Sequence, residues 1–307
     1  MPKTAFLFPG QGSQAPGMGR DLVEHYPEAR RVFEQSDEAL GFPLSKLCFE
    51  GPEEELRLTE NTQPAILACS VAAWTVIRER GIEADYVAGH SLGEYSALVA
   101  AGAVDFVDAL RLVRDRGRYM QEAAPKGSGA MAAILGLSAE QVDAICKEAS
   151  NGYLVSPANY KSPAQTVIAG QREAVERAVE MARARGAAHA VPLPVSAPFH
   201  CVLMEPAQRQ LSPALDATEF RDPRPPIVTN VDAKVVTSAE DARDALRRQI
   251  PNPVRWEESI RRLQALGVER FLEVGPGRVL TALLRKIDRS LKGAPAGDAE
   301  SIEKLTS

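Results

Sequence analysis

The chain has 307 residues, 45% hydrophobic and 25% charged, and a chain this long buries roughly three quarters of its unfolded surface. Disorder along its whole length is excluded, and folding needs no disulfide or metal staple. Its 36 basic and 41 acidic residues give a net charge of -5, which argues against nucleic acid as the main partner because duplex binders carry a basic footprint.

The opening M-P-K-T-A-F-L-F-P-G has one lysine and too short an apolar core for a signal peptide. Residues 4–8 read as a short buried strand that runs into the glycine-rich turn P-G-Q-G-S-Q. Asn61-Thr62 offers a helix cap with Pro64 in the first turn, and Leu67, Val71 and Trp74 follow at helical spacing. The uncharged stretch from Asn61 to Ile77 is too short and too polar to span about 30 Å of hydrocarbon, so no membrane segment is expected. A second strand at 84–89, a helix at 92–101 and a longer helix from Asp105 to Ala124 repeat the strand–turn–helix grammar of an α/β sheet.

From Gly127 the pattern changes to strand 131–137, helix 138–150, strands near 153–158 and 165–169, helix 172–185 and strand 188–195. That order is β-α-β-β-α-β, the ferredoxin-like unit. After Pro198 the first grammar resumes with I-V-T-N at 227–230, helices near 239–249 and 255–266, strand 270–275 and a last helix beyond Gly277. The predicted fold is α/β: a large hydrolase-like domain with a mostly parallel sheet at 1–126 and 197–292, interrupted by a small ferredoxin-like α+β domain at 127–196. Residues 293–307, rich in Gly, Ala, Ser and charge, read as a flexible tail.

Gly89-His90-Ser91-Leu92-Gly93 is a G-x-S-x-G sequence between a predicted strand and helix. In a nucleophile elbow the serine projects at a helix N-terminus, and the close approach of strand and helix demands small flanking residues. A serine nucleophile needs a base. His25 lies in a charged helical run and His189 in the small unit's last strand, which leaves His90 and His200. His90 is adjacent to the serine, where neighbouring side chains point apart. His200 follows a kinked Pro198-Phe199 segment at the return to the large domain. No Asp or Glu is clearly placed as a third member.

Arg116 falls within about 60° of Ala109, Val113 and Met120 on its helix, whereas Arg111, Arg114 and Arg118 share the opposite face. An arginine in an apolar stripe needs an anionic partner, either an internal carboxylate or a bound one. Gly10-Gln11-Gly12 lacks the G-K-[ST] ending of a P-loop, so nucleotide binding is weakly supported. Cys48, Cys69, Cys146 and Cys201 are far apart without C-x-x-C, and no H-E-x-x-H occurs. Reduced thiols, a cytoplasmic location and no protein-bound metal are therefore expected.

Taken together, F-P-G-Q-G-S-Q (8–14), N-T-Q-P-A (61–65), G-H-S-L-G-E (89–94), R-G-R-Y-M-Q (116–121), S-A-P-F-H (196–200), N-P-V-R-W (252–256) and E-V-G-P-G (273–277) resemble the malonyl-CoA:acyl carrier protein transacylases. The likeness runs from about residue 4 to 287, is shared with the acyltransferase domains of polyketide and animal fatty acid synthases, and suggests a single stand-alone domain. It implies a serine nucleophile at Ser91, a base at His200 oriented by a carbonyl at Gln249, and oxyanion donors at the N–H groups of Gln11 and Leu92. It further implies that Arg116 holds the malonyl carboxylate, with Gln63, Met120, Asn159, Gln165 and Phe199 lining the cleft. Expected partners are malonyl-CoA and an acyl carrier protein, with coenzyme A present only as the substrate thioester, no resident cofactor and a monomeric enzyme. Lys161, Arg285 and Lys286 are candidates for carrier docking. Family members often carry basic residues before the last small-domain strand, where this chain reads A-A-H-A at 187–190.

Overall fold

The computed structural model describes residues 2–125, 127–195 and 197–306, so the expected domain limits at 126 and 196, and Ser196 itself, lie outside the described residues. In chain order the first unit comprises β1 (Lys3–Phe8), α1 (Arg20–His25), α2 (Pro27–Leu40), α3 (Leu44–Glu50), α4 (Glu53–Leu56), α5 (Thr59–Glu79), β2 (Tyr86–Gly89), α6 (Gly93–Ala100) and α7 (Phe106–Glu122). The middle segment holds β3 (Gly129–Leu135), α8 (Ala139–Ser150), β4 (Val155–Ser162), β5 (Gln165–Gln171), α9 (Arg172–Ala184) and β6 (His189–Pro192). The chain then forms α10 (Glu205–Ala217), β7 (Ile227–Val228), β8 (Val235–Val236), α11 (Ala239–Gln249), α12 (Trp256–Ala265), β9 (Val268–Glu273), α13 (Val279–Ile287), β10 (Lys292–Pro295) and α14 (Ala299–Thr306).

The larger sheet has the order β10-β9-β1-β2-β7-β8, parallel except where β7 meets β8. Its central strand β1 is buried from Thr4 to Phe8, as a parallel strand covered by helices on both faces must be. Phe6 and Phe8 face one core with α5 and α7, while Ala5 and Leu7 face another with Trp256 and Phe271. The smaller sheet is antiparallel in the order β4-β5-β3-β6, the arrangement that the β-α-β-β-α-β reading predicts. Its strands alternate at period two: Ala132, Ile134 and Ile168 pack under α8 and α9, while Met131, Ala133, Val167 and Ala169 pack toward the larger unit. Main-chain bonds from Tyr160 N–H to Val254 O (2.9 Å) and from Val254 N–H to Ala158 O (3.0 Å) tie β4 to the segment before α12.

Three expectations need correction. The 293–307 tail is ordered through residue 306: β10 pairs in parallel with β9, and α14 buries Ile302 and donates its Ala299 N–H to Asp21 Oδ2 at 2.7 Å. Composition suggested fraying, but β9 offers an unpaired edge that this segment satisfies. The helix expected from Asn61 begins earlier, at Thr59, so Pro64 sits one turn inside it. Asn61 Nδ2 and Thr62 Oγ1 bond to Glu55 O and Leu56 O, securing the entering chain instead of capping the helix. Finally, α2, α3, α4 and α10 are absent from the sequence reading, although α2 buries Ala29, Val32, Phe33 and Ser36 at helical spacing.

Candidate active site

The turn after β2 places Ser91 at its apex with φ 52°, a left-handed backbone that costs an L-residue about 1–2 kcal/mol. Only glycine fits beside it: a Cβ on Gly89 would lie 1.9 Å from the Gly93 backbone, and one on Gly93 would lie 2.0 Å from Phe8 O. Asn230 laces the turn from below. Its Oδ1 accepts from Ser91 N–H at 2.7 Å and its Nδ2 donates to Gly89 O at 2.6 Å.

Of the two candidate histidines, His200 reaches the serine. Its Nε2 lies 2.7 Å from Ser91 Oγ and its Nδ1 lies 3.1 Å from the main-chain carbonyl of Gln249. A carbonyl can only accept, so Nδ1 carries the proton and Nε2 is left with its lone pair toward the hydroxyl. Burial, followed by the charge of Arg116, pulls the imidazole down to about 4, so it stays neutral near pH 7. His90 turns the other way. Its Nε2 accepts from Asn159 Nδ2 at 2.7 Å, and its ring meets the Trp256 ring edge-on at 5.4 Å.

Arg116 is almost fully buried, 1% exposed, on the inner face of α7. Among the described residues no carboxylate pairs with it. Nη1 donates to Gln63 Oε1 at 2.7 Å, and Nη2 donates to Gln249 Oε1 at 2.8 Å and Ser91 Oγ at 3.1 Å. Its Nε has no acceptor, and the Tyr95 ring lies 5.6 Å away. The direct hydrogen-bond partners of this buried guanidinium are thus all neutral, and one of them is the serine hydroxyl.

These groups open into a cleft of about 430 Å³ between the two sheets, also lined by Gln11, Leu92, Met120, Asn159 and Phe199. The N–H groups of Gln11 and Leu92 meet no acceptor among the described residues. Lys161, a candidate for the docking surface, lines the cleft, at a register irregularity of β4 where Tyr160 and Ser162 pair with consecutive residues of β5. Burial and the charge of Lys286 lower its pKa. Gln165 lies outside the cleft. It begins β5 at the hairpin, one strand period beyond the cleft-lining Val167, and accepts from Lys286 Nζ at 3.3 Å. Arg285 and Lys286, on the last turn of α13, line a separate groove with Gln165 and Arg289.

Sequence reading missed Asn230 and Glu94. Glu94 Oε2 accepts from Asn230 N–H at 3.0 Å and from Gln249 Nε2 at 2.9 Å, and Gln249 Nε2 also donates to Ser91 O at 3.0 Å. The available signal was a lone acid in the otherwise uncharged helix G-E-Y-S-A-L-V-A, every residue of which is buried.

The profile of the acyl transferase domain family matches residues 5–305. The chain belongs to the acyl transferase family. A malonyl CoA-acyl carrier protein transacylase of Bacillus subtilis (strain 168) is 51% identical over 304 residues, covering 99% of this chain and 96% of the relative. One of Escherichia coli (strain K12) is 49% identical over 303 residues, covering 98% of each chain. The crystal structure of an acyl carrier protein S-malonyltransferase from Vibrio cholerae superposes with TM-score 0.97 at 48% identity and covers 99% of both chains. A solved complex of a type II PKS acyl-carrier protein with its malonyl-transacylase matches with TM-score 0.96 at 50% identity, covering 98% of each chain. The two-sheet architecture of this acyl transferase is thus that of its relatives. Among its described residues no helix is long and apolar enough to cross a membrane, and no His/Cys/Asp/Glu group could hold a metal ion.

Proposed function

We propose that this protein transfers the malonyl group of malonyl-CoA to the phosphopantetheine thiol of an acyl carrier protein by a ping-pong route through a malonyl–Ser91 ester. The observation that carries this reading is the Arg116 guanidinium, buried without a carboxylate and 3.1 Å from Ser91 Oγ. Malonyl bears its free carboxylate two carbon–carbon bonds from the thioester carbon, so anchoring it on Arg116 presents that carbon to the serine. His200 Nε2 takes the hydroxyl proton as Oγ attacks, and the oxyanion forms against the N–H groups of Gln11 and Leu92. The tetrahedral species collapses, the Oγ–C bond remains and the C–S bond breaks. CoA leaves as its thiol with the proton held by His200. In the second half His200 deprotonates the carrier's thiol, the sulfur attacks the ester carbon, the C–Oγ bond breaks, and His200 returns the proton to Ser91 Oγ.

Malonyl-CoA therefore serves as substrate and not as a resident cofactor. Arg285 and Lys286, with Arg289 and the acid Asp288 in the same separate groove, supply a net positive charge for an acidic carrier. The four cysteines are free and buried, in keeping with a reducing cytoplasm. The exposed large apolar side chains among the described residues are few (Leu58, the adjacent Tyr153 and Leu154, Val191, Val202 and Val279), in keeping with a monomer.

Incubation with radiolabelled malonyl-CoA, followed by peptide mapping, tests the reading. One malonyl group per chain on Ser91, discharged by carrier thiol faster than by water, is the expected result. Rapid discharge by water alone would make the protein a hydrolase, and no label on Ser91 would leave the serine a helix-capping residue.

A further inference from the structure

Glu94 begins the buried face of α6 directly beneath the elbow and is 1% exposed. Its Oε2 accepts two N–H groups, whereas Oε1 has no donor. The Gln249 amide stands between Glu94 and Arg116, with Nε2 on the carboxylate at 2.9 Å and Oε1 on the guanidinium at 2.8 Å. Because Nε2 also donates to Ser91 O at 3.0 Å, the amide can face only one way: its NH₂ toward two acceptors and its oxygen toward a donor. The result is an ion pair with an amide inserted, which compensates Arg116 in charge without filling its fork. The other ionisable groups facing Glu94 are Tyr95 on its own helix and Arg248 on α11, and the latter is engaged by Asp232 and Asp244.

We infer that Glu94 is a specificity-positioning residue: through Gln249 it aligns Arg116 beside Ser91, and its charge competes with the substrate's carboxylate for that guanidinium. The inference rests on Arg116 being the anchor of the malonyl carboxylate. When that second anion arrives, two carboxylates share one cation, and a nearby like charge favours the protonated form of each. Binding an anionic acyl group then shifts Glu94 toward its protonated form, the added proton going to Oε1, the oxygen without a donor. Oε2 remains an acceptor, so Gln249 keeps its place.

Burial holds the free carboxyl up at about 7, and the occupied site titrates higher. Affinity for the anionic acyl group is therefore greatest at and below that pH and falls as pH rises through the window above it. His200, held down at about 4, titrates outside the window. An acetyl thioester has no carboxylate and shows no such dependence, and the phosphates of CoA cancel when the two thioesters are compared.

The test is kcat/KM for malonyl-CoA and acetyl-CoA from about pH 6 to about pH 9, in wild type, Glu94→Gln and Arg116→Ala. Glu94→Gln retains an acceptor oxygen and removes the charge. The wild-type malonyl preference should fall roughly 5–10-fold across the range, since one unit of pKa displacement is tenfold, and Glu94→Gln should flatten it at its low-pH value. A wild-type slope that persists in Glu94→Gln, or equal losses for both thioesters with no change in slope, would overturn the inference. A second measurement does not depend on that variant folding: Ser91→Ala protein mixed with malonyl-CoA in weak buffer at about pH 7.5 should take up about half a proton more than with acetyl-CoA, the uptake that one unit of displacement from about 7 gives at that pH. No difference in uptake also overturns it. Arg116→Ala separates the two layers. If it leaves the malonyl preference intact, the anchor reading itself fails; if it abolishes a preference that in wild type is independent of pH, only the role of Glu94 fails.

Discussion

The cleft takes one wall from the parallel sheet and the other from the antiparallel sheet, and the two differ in how their polar groups are tied. On the parallel side Ser91, Glu94, Arg116, Asn230, His200 and Gln249 form one buried network in which each side chain bonds to at least one other member or to its main chain. On the antiparallel side the cleft surface is largely apolar (Met131, Val167, Leu193, Val195), and the bond from Asn159 to His90 links it to the opposite wall. A connected network of this kind holds reacting groups in one geometry, even with Arg116 Nε and Glu94 Oε1 left unpartnered, whereas apolar lining shapes space without fixing atoms. The difference teaches that the proposed bond-making chemistry and the charge that meets the acyl group sit together on the parallel wall, while the antiparallel wall contributes mainly the apolar shape of the cleft.

Breaking the parallel wall at its apex should have the largest effect. Ser91→Ala should eliminate acylation while the circular-dichroism melt stays in place, and His200→Ala should slow single-turnover CoA release by about 10²–10⁴. His90→Ala, which removes a group bonded to the other wall, should cost less than about tenfold. The contrast fails if His90→Ala proves the more damaging change. In acyl transfer from a thioester without a charged acyl group, the rate should hold as pH falls through the usual histidine range and decline only near 4, because burial and Arg116 disfavour the protonated imidazole of His200.

The next effect sharpens the comparison by separating binding from chemistry within the same wall. A hydrogen bond to a charged group is typically worth about 1.5–3 kcal/mol, so Arg116→Ala should lower kcat/KM for malonyl-CoA roughly 10–150-fold and leave acetyl-CoA unchanged or improved. Arg116→Lys should restore part of the loss, because an ammonium lacks the planar fork. Equal losses for both thioesters would make Arg116 structural.

The smallest effect should come from outside the cleft. Reversing the charges of Arg285 and Lys286 should raise KM for the carrier several-fold, in a salt-dependent way, and leave KM for malonyl-CoA alone. Parallel changes in both constants would dismiss a docking role for that turn.

Much of the two walls was legible because their signals are local. G-H-S-L-G carries its own steric demand, and the apolar stripe around Arg116 marks a buried cation without any tertiary information. The β-α-β-β-α-β run likewise rests on periods within single segments. What was illegible depends on pairing over long distances. Asn230 meets Gly89 and Ser91 across 141 and 139 residues, and Gln249 meets Glu94 across 155. No periodicity announces such a contact. Gln165 was misplaced for a related reason: a family motif assigns a strand, but whether a side chain reaches the cleft depends on where along the strand the hairpin closes. The terminal strand was misread because composition describes what a segment is made of and not the open sheet edge that waits for it.

Non-glycine residues with positive φ among the described residues are Ser91, Asn151, His200 and Ala233, and two of these four are the hydroxyl and imidazole that face each other in the cleft. Left-handed backbone at such positions persists only because the surrounding packing over-determines it. Heat resistance and acyl transfer therefore pull against each other at Ser91. Glycine at position 91 would relax the backbone while removing the reacting atom, whereas at position 200 it would also empty the place of a buried, doubly hydrogen-bonded imidazole. A lineage under selection for thermal stability alone would be expected to lose activity at Ser91 first, and one that keeps activity must find its added stability elsewhere, in surfaces and cores remote from the elbow.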